Sequence, residues 1–286
     1  MKLLYFRRKD TLSLGVVTGK GIFDVDGYLE AHGAPVYGMQ RLTDKSAAVL
    51  TQLIEEAGSD KAFFLNESTL AIGSCVPNPS KIICIGLNYR KHALESNMPV
   101  PAVPVVFTKY SNTLIDYSQD VTLGAVGEQF DYEVELGFVI GTRCKNVPKQ
   151  EALQYVLGYC VANDMSCRDL QFRTSQWLMG KSLDQFLPLG KYLVTGDEVG
   201  DPQQLHLMCT LNGEKRQDSN TSDMIFTVAE IIEDLSMHMT LEPGDLVLTG
   251  TPEGVIMGMK EKNWLKPGDQ VCVEIEKLGK TCNKML

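Results

Sequence analysis

The chain has 286 residues, 44% of them hydrophobic and 22% charged, with a formal net charge of -9 and a pI near 5.0. That length suits one large domain or a core domain with a smaller companion. The acidic balance excludes a nucleic-acid partner, which needs a basic face to neutralise phosphates. No apolar run approaches the roughly 18 residues of a membrane span.

In chain order, residues 1–10 begin like an export signal, but Arg7, Arg8, Lys9 and Asp10 stand where its apolar region should continue. The segment reads as a first β-strand of a cytoplasmic protein. Residues 12–26 read as two short strands around a Gly19-Lys20-Gly21 turn. Residues 46–57 carry helical periodicity through Val49, Leu50, Leu53 and Ile54, with Gly58 as the stop. The prolines of 76–80 form a stiff connector, dividing a small N-terminal α+β domain (1–75) from a larger domain (76–286). Strands are expected over 81–86, 103–108, 132–140, 159–162, 205–211, 245–248 and 270–275, with helices over 149–155 and 227–238. Strands outnumber helices without regular alternation, so the expected class is a β-rich α+β fold, a mixed β-sandwich or roll, rather than a doubly wound parallel sheet.

The eight cysteines form no CxxC pair and read as reduced, small core residues. A cysteine nucleophile has only four histidines available to activate it.

Three carboxylates carry the strongest chemical signal. Glu133 and Glu135 are two apart, so on a strand they face the same way, and a core-like Leu-Gly-Phe-Val-Ile run follows them. Such a pair is either an exposed strand face or one end of a cation site, because buried like charges need compensation. Asp164 ends the strand at 159–162 and is either the third oxygen ligand or a helix N-cap. An all-oxygen set suits Mg²⁺ or Mn²⁺ rather than zinc. His92 and Glu95, at i and i+3 after the strand at 81–86, face the same way on a helical turn. They are either a surface pair or a carboxylate-oriented general base. Residues 96–101 read as a mobile connection suited to a lid. Gly180-Lys181-Ser182 lacks the earlier glycine of a phosphate loop, since Ser175 stands there. The turn at 248–254 is either structural or a cradle for a substrate carboxylate at Thr251. Arg168 reads as an ion-pair partner of Asp169 or a neighbour.

In order along the chain, ICIGLNYRKHALE, DYEVELGFVIG, NDMSCRDLQ, GKSLDQFLPLG and LTGTPEGV together resemble the fumarylacetoacetate hydrolase family, from about Pro77 to the end, and the N-terminal part resembles the small leading domain of many members. The resemblance implies that family's β-sandwich roll with peripheral helices, usually dimeric. It implies Glu133, Glu135 and Asp164 as Mg²⁺ or Mn²⁺ ligands, and His92 with Glu95 as a water-activating dyad on a lid. Lys181 matches the lysine that stabilises developing negative charge, and Gln171 and Thr251 match substrate-contacting or supporting positions. Within the family the chain is most similar to bacterial 2,4-diketo-3-deoxy-sugar-acid hydrolases and acylpyruvate hydrolases, through Gln176-Trp177, residues 180–182, 192–195, 197–199 and 201–203. Leu187 and Leu178-Met179 depart from that pattern and are expected near the pocket.

The expected reaction is hydrolytic carbon–carbon cleavage of a 2,4-diketo acid to pyruvate and a second acid. Oxaloacetate decarboxylation, keto–enol tautomerisation or hydroxymuconate-type isomerisation shares the same cation and enolate. A non-catalytic, metal-stabilised module is the alternative of a different class.

Overall fold

The computed structural model describes residues 1–9, 11–43, 45–58 and 60–286; Asp10, part of the charged N-terminal break, lies outside them. The strands are β1 (Lys2–Arg8), β2 (Thr11–Thr18), β3 (Gly21–Asp24), β4 (Phe64–Leu65), β5 (Ile82–Gly86), β6 (Val105–Lys109), β7 (Phe130–Asp131), β8 (Val134–Ile140), β9 (Val156–Asn163), β10 (Ser166–Cys167), β11 (Leu193–Thr195), β12 (His206–Leu211), β13 (Glu214–Asn220), β14 (Leu246–Leu248), β15 (Gln270–Ile275) and β16 (Gly279–Lys284). The α-helices are α1 (Val25–Ala31), α2 (Ser46–Ala57), α3 (Arg90–Glu95), α4 (Arg168–Gln171), α5 (Leu178–Lys181), α6 (Gly196–Val199) and α7 (Val228–His238).

A ten-stranded sheet runs β4-β3-β2-β1-β11-β9-β8-β14-β5-β6, and a four-stranded sheet runs β13-β12-β15-β16. Within the large sheet β14 pairs parallel with β5, whereas β8 pairs antiparallel with both β9 and β14. This is the mixed, strand-rich α+β architecture expected. Residues 1–75 extend the large sheet through the β1–β11 ladder, with Leu3 opposite Leu193.

The central strands are buried on both faces, which is why β8 reads as a nearly unbroken apolar run. Period-two alternation divides their side chains between two cores. Ile83, Ile85, Leu136, Phe138 and Val247 face the core that includes Leu207 and Val273 of the small sheet. Ile82, Cys84, Val139, Leu246 and Leu248 face the core shared with Leu14, Phe23 and Leu50 of the N-terminal segment.

Helix α7 starts at a capping box in which the Thr227 hydroxyl and the Glu230 carboxylate satisfy each other's backbone N–H groups. Its Val228, Ile231, Ile232 and Leu235 form the buried stripe. Residues 149–155, expected as a helix, form one of the 3-10 type. Cys272 and Cys282 stand opposite each other in the β15–β16 ladder and form a disulfide, correcting the all-reduced expectation. The expectation fails because cross-strand register, not sequence spacing, brings the two sulfurs together. No helix among the described residues is long and apolar enough to cross a membrane.

Candidate metal centre

The carboxylates gather at one end of the β8–β9 hairpin. Glu135 lies on β8 opposite Ala162, and Asp164 directly follows the last residue of β9. Glu133 precedes β8, so the strand expected over 132–140 breaks there. Two hydrogen bonds fix the detour: Glu133 N–H donates to Asn163 Oδ1 at 3.0 Å, and Asp164 N–H donates to the Glu133 carbonyl at 2.9 Å. The side chains of Glu133, Glu135 and Asp164 are buried, and each offers an oxygen within 4.8 Å of the others. Asp164 therefore faces this cluster rather than capping a helix; the cap position of α4 belongs to Cys167.

Three buried cations surround the cluster. Lys181 Nζ lies 2.6 Å from Glu133 Oε2 and 2.7 Å from Asp164 Oδ2. Lys109 Nζ donates to Asp164 Oδ1 at 2.7 Å and to the Met165 carbonyl at 3.0 Å. Arg168 pairs with Glu133 at 2.7 Å and Asp131 at 2.8 Å, while its Nη1 donates to Gln171 Oε1 at 2.9 Å. Asp169, the partner expected for Arg168, instead accepts backbone N–H bonds from Glu128 and Gln129. Sequence reading gave no role to Lys109 or Asp131. Their partners lie 55 and 37 residues away, so no local spacing marks them.

Burial opposes ionisation of Glu133, but Lys181 and Arg168 outweigh it and hold this carboxyl at about 2. Glu135 behaves oppositely: burial first, then Asp164 and Glu133, push its carboxyl well above the usual range. Among the described residues no salt bridge reaches Glu135; its Oε2 accepts the Gly250 N–H at 2.8 Å. Gly250 has φ +92, and a Cβ there would meet Asn88 Cβ at 2.8 Å and the Ile85 carbonyl at 2.9 Å, so only glycine delivers that amide. A hard divalent cation fits this donor set: three converging carboxylates, one of them lacking a cationic partner.

His92 and Glu95 share α3, and His92 Nδ1 lies 2.9 Å from Glu95 Oε1. Both Glu95 oxygens accept the Gly254 N–H, at 3.2 and 3.1 Å. Asn88 anchors the loop before α3 by donating to the Thr249 and Phe226 carbonyls and accepting the Phe226 N–H. His92 is thereby held, buried, in the wall of the cavity that contains Glu133, Glu135 and Lys181. Met98, in the segment read as a lid, closes part of the same wall.

Gln171 and Thr251 also line this cavity, which encloses about 30 Å³. The Thr251 hydroxyl donates to the Val134 carbonyl and accepts from Gln217, so its bonds brace the turn against β8. Leu187, Leu178 and Met179, expected near the pocket, do not line it. Leu187 is packed into the N-terminal core, Met179 is exposed, and Leu178 faces a separate cavity. The free cysteines are all buried, and burial pushes the Cys84, Cys144, Cys167 and Cys209 thiols up, which disfavours a thiolate nucleophile.

Comparison with known proteins places these elements in a wider set. The family model for the fumarylacetoacetate (FAA) hydrolase C-terminal region matches residues 81–286. The mitochondrial oxaloacetate tautomerase of Xenopus laevis is 37% identical over 292 residues, covering 100% of this chain and 90% of that protein. A maleylpyruvate hydrolase from Sphingobium sp. SYK-6, solved with manganese(II) and pyruvate, superposes with a TM-score of 0.80 at 30% identity, covering 100% of this chain and 99% of that one. The 2-hydroxyhepta-2,4-diene-1,7-dioate isomerase of Mycobacterium marinum superposes with a TM-score of 0.76 at 28% identity, covering 100% and 98%.

Proposed function

Since this chain belongs to the fumarylacetoacetate hydrolase family, we propose that it is a Mg²⁺- or Mn²⁺-dependent hydrolase that cleaves a carbon–carbon bond of a 2,4-diketo acid. The substrate class is an acylpyruvate or diketo-deoxy sugar acid, and the products are pyruvate and a second acid. One observation carries the reading: His92, bonded to Glu95, lines the same cavity as Glu133 and Glu135 of the carboxylate cluster.

Glu133, Glu135 and Asp164 would hold a divalent cation, which would supply Lewis acidity to the 2-oxo acid head of the substrate. Glu95 holds Nδ1 of His92, leaving Nε2 to take a proton from water as its oxygen bonds to the C4 carbonyl carbon. The C3–C4 bond then breaks, and its electron pair enters the pyruvate enolate. Lys181 faces the developing oxyanion, where a fixed positive charge in a dry site is most effective. His92 returns the proton to C3. Gln171 and Thr251 form the wall against which the acid head is oriented.

Incubation with an acylpyruvate and Mn²⁺ is expected to release pyruvate and the matching acid in equal amounts, read by chromatography. Inert acylpyruvates together with CO₂ release from oxaloacetate would sink the hydrolase reading. A second reading, keto–enol tautomerisation of oxaloacetate, is favoured by the full-length relative named for that activity and by the small cavity. It needs His92 as a proton carrier but no attacking water. Deuterium entering C3 of oxaloacetate from solvent, with no pyruvate formed, would select it. The proposal includes a homodimer in the cytoplasm; light scattering on the purified chain checks the assembly.

A further inference from the structure

The cavity is chemically divided. Its charged and hydrogen-bonding side chains lie at the base, and most are already committed: Lys181 to Glu133 and Asp164, Arg168 to Asp131, Glu133 and Gln171, and His92 to Glu95. Leading outward from Lys181 is a ladder of aromatic rings. Lys181 Nζ lies 5.1 Å from the Phe107 ring centroid, Phe107 packs edge-on against Trp177 at 5.3 Å, and Trp177 packs edge-on against Phe172 at 6.4 Å. Phe172 is 51% exposed and Met98, in the same wall, is 40% exposed, so the ladder ends at solvent. The Trp177 ring rests on the backbone of Gly86, where a Cβ would come within 2.4 Å of it. Apart from the base, the lining is apolar: Ile85, Leu87 and Met257 complete it, and no uncommitted Lys or Arg appears among the described lining residues.

We infer that this aromatic ladder is a specificity subsite for an uncharged, apolar tail on the 2-oxo acid, with Phe172 and Trp177 as its main contacts. A second carboxylate placed there would lose its hydration without gaining a cation, which is costly. A polyhydroxylated chain would leave hydroxyls facing rings that accept no ordinary hydrogen bond. An alkyl or aryl tail instead gains by removing apolar surface from water. The inference deepens the proposed function and rests on its reading of the base as a 2-oxo acid site. Within that reading it selects acylpyruvates over sugar-derived and dicarboxylic acids.

The test measures binding rather than turnover. The full chain with Mn²⁺ is titrated by calorimetry with pyruvate, 2-oxobutanoate, 2-oxohexanoate and 2-oxoglutarate. Affinity is expected to rise with tail length, by up to about fourfold per methylene, and 2-oxoglutarate is expected to bind more weakly than 2-oxohexanoate. Phe172→Ala, at an exposed position that tolerates truncation, removes most of the tail-length gain and leaves pyruvate binding unchanged. Phe172→Lys shifts the preference toward 2-oxoglutarate. Equal or tighter binding of 2-oxoglutarate by the unaltered chain overturns the inference, as does equal weakening of pyruvate and 2-oxohexanoate by Phe172→Ala. Failure of pyruvate itself to bind has a different meaning: it removes the 2-oxo acid reading of the base, and the subsite with it.

Discussion

The floor and the wall of the cavity are built by different means. Glu133, Glu135 and Asp164 sit at the end of a hairpin whose ladder pairs Val134 with Asn163 and Glu135 with Ala162. Their positions are therefore set by the center of the sheet; three buried cations hold Glu133 and Asp164 in place, and the Gly250 N–H holds Glu135. His92 and Glu95 ride on a six-residue helix, too short to be stable alone. Its place depends on Asn88 before it and Gly254 beside it. The difference separates tasks: the rigid floor suits cation binding, which tolerates little misplacement, and the tethered wall suits proton transfer, which needs a group that can approach and withdraw.

Substitutions can break that separation. The largest effect is expected from Asp164→Ala, which removes a proposed ligand and leaves Lys109 and Lys181 facing each other. Mn²⁺ affinity by calorimetry should fall by more than about 100-fold, beyond what supporting partners usually contribute. A smaller loss would remove Asp164 from the ligand set. His92→Ala should lower kcat by on the order of 10²- to 10⁴-fold while Mn²⁺ affinity stays unchanged. Parallel losses of cation binding would show that floor and wall are one unit.

Lys109→Met tests the underside of the floor. It should weaken Mn²⁺ binding by about 10- to 100-fold by freeing Asp164 Oδ1, and Lys109→Arg should recover part of the loss if charge rather than shape is what matters. An unchanged affinity would reduce Lys109 to a packing role.

The smallest effect concerns the Glu135 proton. Burial and the neighbouring carboxylates raise this group in the folded chain, so without a cation the folded state binds more protons than the unfolded state above the ordinary glutamate value. Stability of the cation-free protein should therefore decline as pH rises from that value through the raised one. Cation binding must displace the proton, so apparent Mn²⁺ affinity should rise over the same interval, and calorimetry in buffers of different ionisation enthalpy should detect proton release. Glu135→Gln should flatten both trends; undiminished slopes in that variant would assign the proton elsewhere.

Much of this arrangement was legible because it is local. The buried β8 run, the i, i+3 placement of His92 and Glu95, and the helix at α7 follow from side-chain spacing on regular backbone. The carboxylates were found by strand alternation, although Glu133 lies outside the strand. The hydrogen bond from its N–H to Asn163, not pleat geometry, brings it level with Glu135. Strands β13 and β16 were missed because they are the edges of the small sheet and carry polar sequences with little apolar alternation.

By itself the sequence determined the strand-rich class, the chemical types at the site and the oxygen-rich character of the proposed cation site, because those depend on composition and short-range periodicity. Only the tertiary structure decided which charges compensate which. Arg168 meets Asp131 rather than Asp169, Lys109 reaches Asp164 across 55 residues, and Phe107, Trp177 and Phe172 line up at the mouth of the cavity. Those pairings arise from strand order and register, which bring distant residues within a few ångströms and which no local pattern encodes.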